Sequence, residues 1–412
     1  MPHLLSLNSY HYRRGGAEAV YLDHAALFEE HGWRNSFFSM LHPRNLGSAD
    51  SEHFARTVDY EFVSGPLDAA RTALASIYNF DARRRARQLV RENRFDVAHA
   101  HNVHHHLTPA VFEVFHDAGV PVIMTAHDLK VACPAYLMMN ERGVCEACKG
   151  GNLTHVVRNR CIKHSYAASA VVMVEAYLHR MLGSYSKHVA RIVTPSRFYR
   201  DKIVEWGFPA EKVEYIPNFT KIIDHGHKGS YAGPMLFFGR LSREKGVATL
   251  IGAAAQSGVA VEIAGVGPME ASLRQLAADM AAPVTFLGRL DGDSLWSRVG
   301  RARAVILPSE WYENAPMSVL EAYQLERPVI GARIGGIPEL VNGLGGDCGW
   351  LFEAGDAQAL AALLSEVSDT GEKELADRGK RGRELALGQF SKENYYRACN
   401  RLYGQVGRVR GR

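Results

Sequence analysis

A chain of 412 residues is too long for one ordinary core and suits two domains of about 200 residues each. Its 47% hydrophobic and 22% charged residues exclude a disordered or fibrous chain, and a net charge of +4 gives no argument for a nucleic-acid partner. No run reaches the roughly 18 apolar residues of a membrane span, and the opening MPHLLSLNSYHYRRGG is too short and too early broken for a secretory signal, so the chain reads as cytoplasmic, where six cysteines do not indicate a disulfide framework.

In chain order, LLSL (4–7) reads as a strand. Gly15, Gly16 and an amphipathic helix follow, ending near Gly32. FDVAHAH (95–101) is a strand after a charged helix, and VPVIMTAHD (120–128) is another. Residues 133–163, rich in Gly, Asn, Cys and charge, break the rhythm as an insertion or long loop. A helical segment spans about 165–189. RIVTPS (191–196) and VEYIPN (213–218) are short strands at the hinge between halves. The pattern then restarts with strands PMLFFGR (234–240), VAVEIAG (259–265), PVTFLGR (283–289), RAVILPS (303–309) and RPVIGAR (327–333), separated by helices. ELALGQFSKENYYRACNRLYGQV (384–406) is helical in pattern, with GRVRGR after it frayed. Strand–helix alternation of this kind predicts an α/β chain with two doubly wound parallel sheets. The expected division is 1–190, 191–390, and a C-terminal helix and tail, 391–412, packing back toward the N-terminal domain. Ligands in such sheets bind beyond the C-terminal strand ends, so those residues are the ones to weigh.

PSEWYENAPMSVLEAYQLERPVIGARIGGIPELV (308–341) runs from a strand end into a helix, a strand and a glycine turn. Pro316 suits a first helical turn. Glu313 precedes that helix and Glu321 lies about two turns on. Between them the helix N-terminus offers free N–H groups and partial positive charge to a diphosphate. In isolation the same pair reads equally well as a cap and a solvated face. FFGRLSREKGV (237–247) places Arg240 and Lys245 just beyond a strand, where two cations would stabilise a leaving diphosphate; alone, it reads as a wet basic turn.

Taken together, the E-x7-E pair, the G-R-L-x-x-x-K-G segment and the GG-x-P-E turn resemble the retaining glycosyltransferase family 4, the group 1 glycosyltransferases, which includes sucrose synthase and bacterial mannosyltransferases. The resemblance covers nearly the whole chain. It implies the GT-B fold, two Rossmann-like domains facing across a cleft, and a role in cell-surface polysaccharide synthesis with a nucleotide-diphosphate sugar donor and a saccharide or polyprenyl-linked acceptor. It implies that Glu313 faces the donor sugar, that Glu321 accepts from the ribose, and that Arg240 and Lys245 hold the diphosphate. Asn314, Ala315, Met317 and Ser318 would meet sugar and phosphate through their backbone. Phe286, Leu287 and Arg289 would lie beside the base, Gly15 and Gly16 would close over the donor phosphate, and His127 would touch the sugar near the reaction centre. No cofactor is required for catalysis in such a family. Three departures concern turns: Asn314-Ala315-Pro316 replaces Gly-Phe-Gly, Glu326 stands where glycine is usual, and Phe219 stands where glycine follows Pro-Asn.

The cluster His99, His101, His104, His105 and His106 reads as an acceptor-side strand end, with His101 and His104 as the acceptor candidates, ahead of a metal site. Cys133, Cys145, Cys148 and Cys161, with a C-x2-C at the centre, fit a structural zinc site and fit free buried thiols. Cys348 and Cys399 read as core residues. The segment 165–193, with Arg13, Arg14 and the RRRAR run (83–87), fits peripheral contact with the inner membrane surface and, ahead of it, a core-facing helix with solvated charges. A nicotinamide oxidoreductase is disfavoured, since no G-x-G-x-x-G follows the first strand. A non-hydrolysing nucleotide-sugar epimerase on the same architecture is the remaining alternative; intact Glu313, Arg240 and Lys245 argue against a non-catalytic binding subunit.

Overall fold

The computed structural model describes residues 1–58, 65–220, 222, 230–343 and 347–407, so the expected frayed end lies, except for Gly407, outside the described residues. The chain forms two compact units, Met1–Pro195 with Tyr199–Ile216 and the C-terminal segment from Tyr395, and Pro217–Asn394 with Ser196–Phe198.

In the first unit the elements are β1 (His3–Leu7), α1 (Gly16–Glu30), β2 (Arg34–Phe38), α2 (Pro66–Ile77), α3 (Phe80–Glu92), β3 (Val97–Ala100), α4 (Ala110–Asp117), β4 (Val122–Thr125), β5 (Met139–Asn140), β6 (Gly143–Val144), α5 (Thr154–Arg158), α6 (Tyr166–Leu182), β7 (Arg191–Thr194), α7 (Arg197–Glu205) and β8 (Val213–Tyr215). The main sheet runs β2-β1-β3-β4-β7-β8, every pairing parallel. All five residues of β1 are buried, as a sheet covered on both faces demands. The boundary expected at residue 190 therefore shifts: β7 and β8 complete the first sheet, and the second unit takes up the main chain at Pro217.

The second unit holds β9 (Met235–Phe238), α8 (Val247–Ser257), β10 (Val261–Ala264), α9 (Glu270–Asp279), β11 (Val284–Gly288), α10 (Asp293–Arg301), β12 (Val305–Leu307), α11 (Met317–Gln324), β13 (Val329–Ala332), α12 (Ile337–Val341), β14 (Gly349–Phe352), α13 (Ala357–Asp369) and α14 (Glu372–Leu387). Its sheet runs β11-β10-β9-β12-β13-β14, again parallel. The period of two in each strand splits the core. Met235, Phe237, Ile263, Ile306 and Ile330 pack on one face with α8 and α13, and Leu236, Ala264, Val305 and Val329 pack on the other with α11 and α12.

The last helix, α15 (Lys392–Val406), carries Tyr395, Cys399, Leu402 and Tyr403 on one buried face, at the spacing of an amphipathic helix. From Tyr395 on it belongs to the first unit.

In each sheet the strand order reverses direction once: between β1 and β3 in the first, and between β9 and β12 in the second. The crevice beyond the carboxyl ends of such a strand pair is where doubly wound sheets bind ligands.

Candidate active site

In the second unit both switch-point strands feed the predicted residues. β9 ends in the loop of Arg240 and Lys245, and β12 ends in the loop of Glu313. The Lys245 Nζ lies 2.6 Å from Glu313 Oε1, and the Ser309 hydroxyl donates to the same oxygen at 2.7 Å. Two glycine features bring these loops together. Gly246 has φ +65° and packs so closely that a Cβ would stand 1.8 Å from the Pro308 carbonyl oxygen. The Gly335-Gly336 turn does the same from the other side: Cβ atoms there would stand 2.3 Å from the Glu313 oxygen and 2.0 Å from the Asn314 oxygen. The Gly336 N–H donates to the Glu313 carbonyl at 2.8 Å. The glycine turn is thus the floor under Glu313, and only glycine lets the backbones approach this closely. Glu339, from the same GG-x-P-E turn, accepts the backbone N–H groups of Arg197 (2.9 Å) and Phe198 (2.5 Å), and the Ser196 hydroxyl donates to Asn314 Oδ1 at 2.9 Å.

Burial pushes the Glu313 carboxyl up, but the Lys245 ammonium and the hydrogen bonds it receives outweigh that and hold it below the ordinary carboxylate range. The Trp311 indole N–H stands near this carboxyl without meeting hydrogen-bond geometry, and the Lys245 Nζ lies 5.5 Å from the indole centroid. Glu321, on α11, is the contrasting carboxyl. Burial pushes it up to about 7, and no hydrogen bond or ion pair among the described residues offsets that. Arg240 is exposed, and its guanidinium has no partner among the described residues. Asn314, Ala315, Met317 and Ser318 lie at the start of α11, where the first N–H groups have no intrahelical acceptor. Phe286 and Leu287 are half-buried on β11, with the Arg274 guanidinium 4.6 Å from the Phe286 centroid. Arg289 is exposed and pairs with Asp291 at 3.0 Å.

The two single-residue turn departures resolve differently. Glu326 keeps the glycine conformation, with φ +56°, just past the end of α11. Phe219 is buried and has no positive φ, so that turn has another shape.

At the switch point of the first sheet, Gly15 precedes α1 and Gly16 opens it; both are exposed. A Cβ on Gly16 would meet nothing within 4 Å, so the room beside it is open to a ligand. His127 follows β4, is half-buried, and is held at about 4 by burial and by His104, so its imidazole is neutral at pH 7. Behind it lies a network that sequence reading does not reveal. His101 Nδ1 lies 2.9 Å from His127 Nε2, and the two rings stack. His99 Nε2 lies 2.7 Å from the Thr125 hydroxyl, and its Nδ1 is 2.5 Å from the Tyr403 hydroxyl. The Tyr403 hydroxyl also lies 2.9 Å from His24 Nε2, and Tyr395 takes His24 Nδ1 at 2.9 Å.

His24, His99 and His101 bring one ring nitrogen each within 4.8 Å of one another, the spacing of a metal cluster. Both nitrogens of His24 and of His99 already have hydroxyl or tyrosine partners, which suits a polar network of the core better than a ligand set. His104 is buried, with Nδ1 2.8 Å from the Tyr185 hydroxyl. His101 and His104 thus stand behind His127, and neither reaches the surface. The Glu175 that interrupts the apolar run of α6 is a buried partner of Lys130 at 2.6 Å.

Residues 14–222 match Glycosyltransferase Family 4, and residues 231–385 match Glycosyl transferases group 1. The chain is 30% identical over 222 residues to the amylovoran biosynthesis glycosyltransferase AmsK of Erwinia amylovora, covering 49% of this chain and 53% of that one. It is 29% identical over 214 residues to a putative colanic acid biosynthesis glycosyltransferase, WcaL, of Salmonella typhimurium, covering 48% and 52%. The chain spans about half the length of the curated relatives it matches. Among solved structures, Anabaena HepE in complex with UDP and glucose has TM-score 0.66 at 16% identity, covering 98% of this chain and 100% of that one. Sucrose-phosphate synthase from Thermosynechococcus elongatus has TM-score 0.69 at 18% identity, covering 98% and 99%. These two show the fold, GT-B. With a family match over half of its length and both sheets in the expected order, the chain belongs to glycosyltransferase family 4.

Proposed function

We propose that the chain moves a hexose from a nucleotide-diphosphate sugar to a saccharide or lipid-linked saccharide acceptor in cell-surface polysaccharide synthesis, with retention at the anomeric carbon. The observation that carries this is the Lys245–Glu313 pair, set between the glycine floor and the first turn of α11. Arg240 and Lys245 neutralise the leaving diphosphate, with the N–H groups of Met317 and Ser318 as further donors. The Glu313 carboxylate, kept ionised, faces the sugar where positive charge develops. Glu321, with no partner among the described residues, accepts from the ribose. The departing phosphate takes the acceptor's proton. The relatives named for amylovoran and colanic acid synthesis support the polysaccharide assignment.

A panel of UDP, GDP, ADP, CMP and NAD in thermal unfolding tests the donor site. A ligand at about a hundred times its dissociation constant adds roughly 2.7 kcal/mol. Stabilisation by UDP or GDP alone supports the reading and names the base. Stabilisation by NAD with none from a nucleoside diphosphate overturns it. The anomeric coupling of the product tests retention.

We further propose that the first unit makes peripheral contact with an anionic membrane surface, in place of the core-facing reading of α6. No helix among the described residues is long and apolar enough to cross a membrane, but α6 exposes Tyr166, Val174, Tyr177 and Met181, and α2, beside it, exposes Leu67 and Leu74. Sedimentation with anionic liposomes at low and high salt tests this; absence of binding at low salt sinks it.

A further inference from the structure

Outside the donor site, the strongest concentration of unused chemistry is the segment between β4 and α6. It has little regular structure: a two-stranded antiparallel hairpin, β5–β6, with two residues in each strand, and the five-residue α5. Its apolar core is three buried side chains, Cys148, Leu153 and Val156, with Cys161, Met173, Ala176 and Trp206 packed around them. Several residues hold left-handed backbone angles without being glycine, among them Tyr136, Met138, Arg160, Lys163 and His164. So small an apolar cluster does not by itself order a segment of this length.

Four of the six cysteines lie in this segment, and all four are thiols. They come from three stretches of chain: Cys133 after β4, Cys145 and Cys148 after the hairpin, and Cys161 after α5. Each stretch is fixed by backbone hydrogen bonds. The Cys145 N–H donates to the Met138 carbonyl at 2.8 Å, the Gly151 N–H to the Cys148 carbonyl at 3.1 Å, and the Cys161 N–H to the Val156 carbonyl at 3.1 Å. The Cys133 sulfur faces the backbone N–H groups of Ala135 and Met138, donors that favour a thiolate. The four are tied together in two pairs: Cys148 and Cys161 pack in the same small cluster, and Met138 links the other two, its N–H facing the Cys133 sulfur and its carbonyl accepting from the Cys145 N–H.

We propose that Cys133, Cys145, Cys148 and Cys161 bind one zinc ion that holds this segment folded. A set of four thiolates with no oxygen donor selects a soft divalent ion, and a closed set of four is the structural class. Binding releases the thiol protons to solvent, and the charge of the ion replaces the mutual repulsion. The sulfurs are not drawn as close as the His24–His99–His101 trio, whose nitrogens fall within 4.8 Å. Zn–S bonds of about 2.3 Å set sulfurs about 3.8 Å apart, so metal entry tightens the cluster. Cys145 is the movable member. It is half-buried and lines a cavity of about 450 Å³ with Asn140, Arg142, His155, Arg158 and Arg160, through which the ion arrives. The zinc also fixes the start of the segment, where Lys130 grips Glu175 of α6 a few residues after His127.

The test uses the full chain purified under reductant without chelator. Metal analysis is expected to give about one zinc per chain. Titration of the thiols with a mercurial reagent is expected to release that zinc in step with four thiols. Replacement with cobalt chloride is expected to give the intense visible absorption of tetrahedral cobalt thiolate, and Cys145→Ser with Cys148→Ser is expected to abolish it. Should the double variant fail to fold, the wild-type cobalt spectrum and zinc release still decide the matter. A folded wild-type chain free of zinc whose thiols react without releasing metal overturns the proposal. So does a mass showing two disulfides under reductant, or an iron–sulfur chromophore in place of zinc.

Discussion

The two units share an architecture and differ in the chemistry of their switch points. All 17 described histidines lie in the first unit; the other two of the 19, His225 and His227, lie outside the described residues. The first unit's crevice is backed by neutral, stacked imidazoles whose nitrogens, His101 Nε2 excepted, are paired with one another and with hydroxyl groups. The second unit's crevice is built from a lysine, an arginine and two glutamates, one ionised against a lysine and one raised to about 7 by burial. A neutral lining tolerates burial without a counter-charge, whereas a charged one has to be assembled in pairs. That is why the second site rests on close glycine contacts and the first does not.

Charge removal is the harshest way to probe this comparison. Glu313→Ala should lower turnover by about a thousandfold or more while nucleotide binding, followed by calorimetry, survives. Lys245→Ala should weaken both, since it also strands Glu313 as a buried charge. Normal transfer by Glu313→Ala would show that the donor site is misassigned.

Acid should separate the units next. His11, His106, His127 and His179 are lowered to about 4 and His24 to about 3, each first by burial, against an ordinary value of 6.5. Depressed histidines contribute stability that is present above pH 6.5 and is lost as pH falls toward 4, because the unfolded chain takes up the protons first. The second unit has no described histidine to lose. Limited proteolysis between pH 6.5 and 4 should therefore cut within residues 1–216 before 230–394, and the reverse order would break the comparison.

Glu321 runs the other way. A carboxyl raised to about 7 costs stability as pH rises from about 4.5 to 7, since the unfolded chain ionises and the folded one does not. Glu321→Gln should raise the unfolding temperature at pH 8, leave it nearly unchanged at pH 4, and weaken nucleotide binding. A loss of stability at pH 8 would mean that the carboxylate has a protein partner.

The smallest effect concerns Glu326. A non-glycine residue at φ +56° carries strain that glycine relieves, so Glu326→Gly should stabilise the chain by about 0.5 kcal/mol in urea unfolding.

What was legible in the sequence follows from these differences. The second site could be read because its parts sit at strand ends within short, recognisable spacings: Arg240 and Lys245 after β9, Glu313 and Glu321 around the start of α11. The glycine turn could be recognised too, though its purpose, a floor under Glu313, needed coordinates. The first site could not be read in the same way. His99 and His24 find Tyr403 across 304 and 379 positions of sequence, and no local pattern announces that. Glu175 looked like an interruption of an apolar helix because Lys130, its buried partner, lies 45 positions earlier. The strand β2, RNSFF, has only two apolar residues and carries no strand pattern, although it forms the edge of the first sheet. The hinge strands β7 and β8 are legible as strands, but short strands carry no mark of the sheet they join, here the first.

The tyrosines of α15 give the first unit a peculiar order of manufacture. Its sheet is translated early, yet the hydroxyls that quiet His24 and His99 leave the ribosome only after the whole second unit has been made. Until then the nascent first unit carries buried imidazoles with missing partners. The last segment made thus completes the first unit's core, whereas the clusters of the second unit draw on residues 231–390 alone.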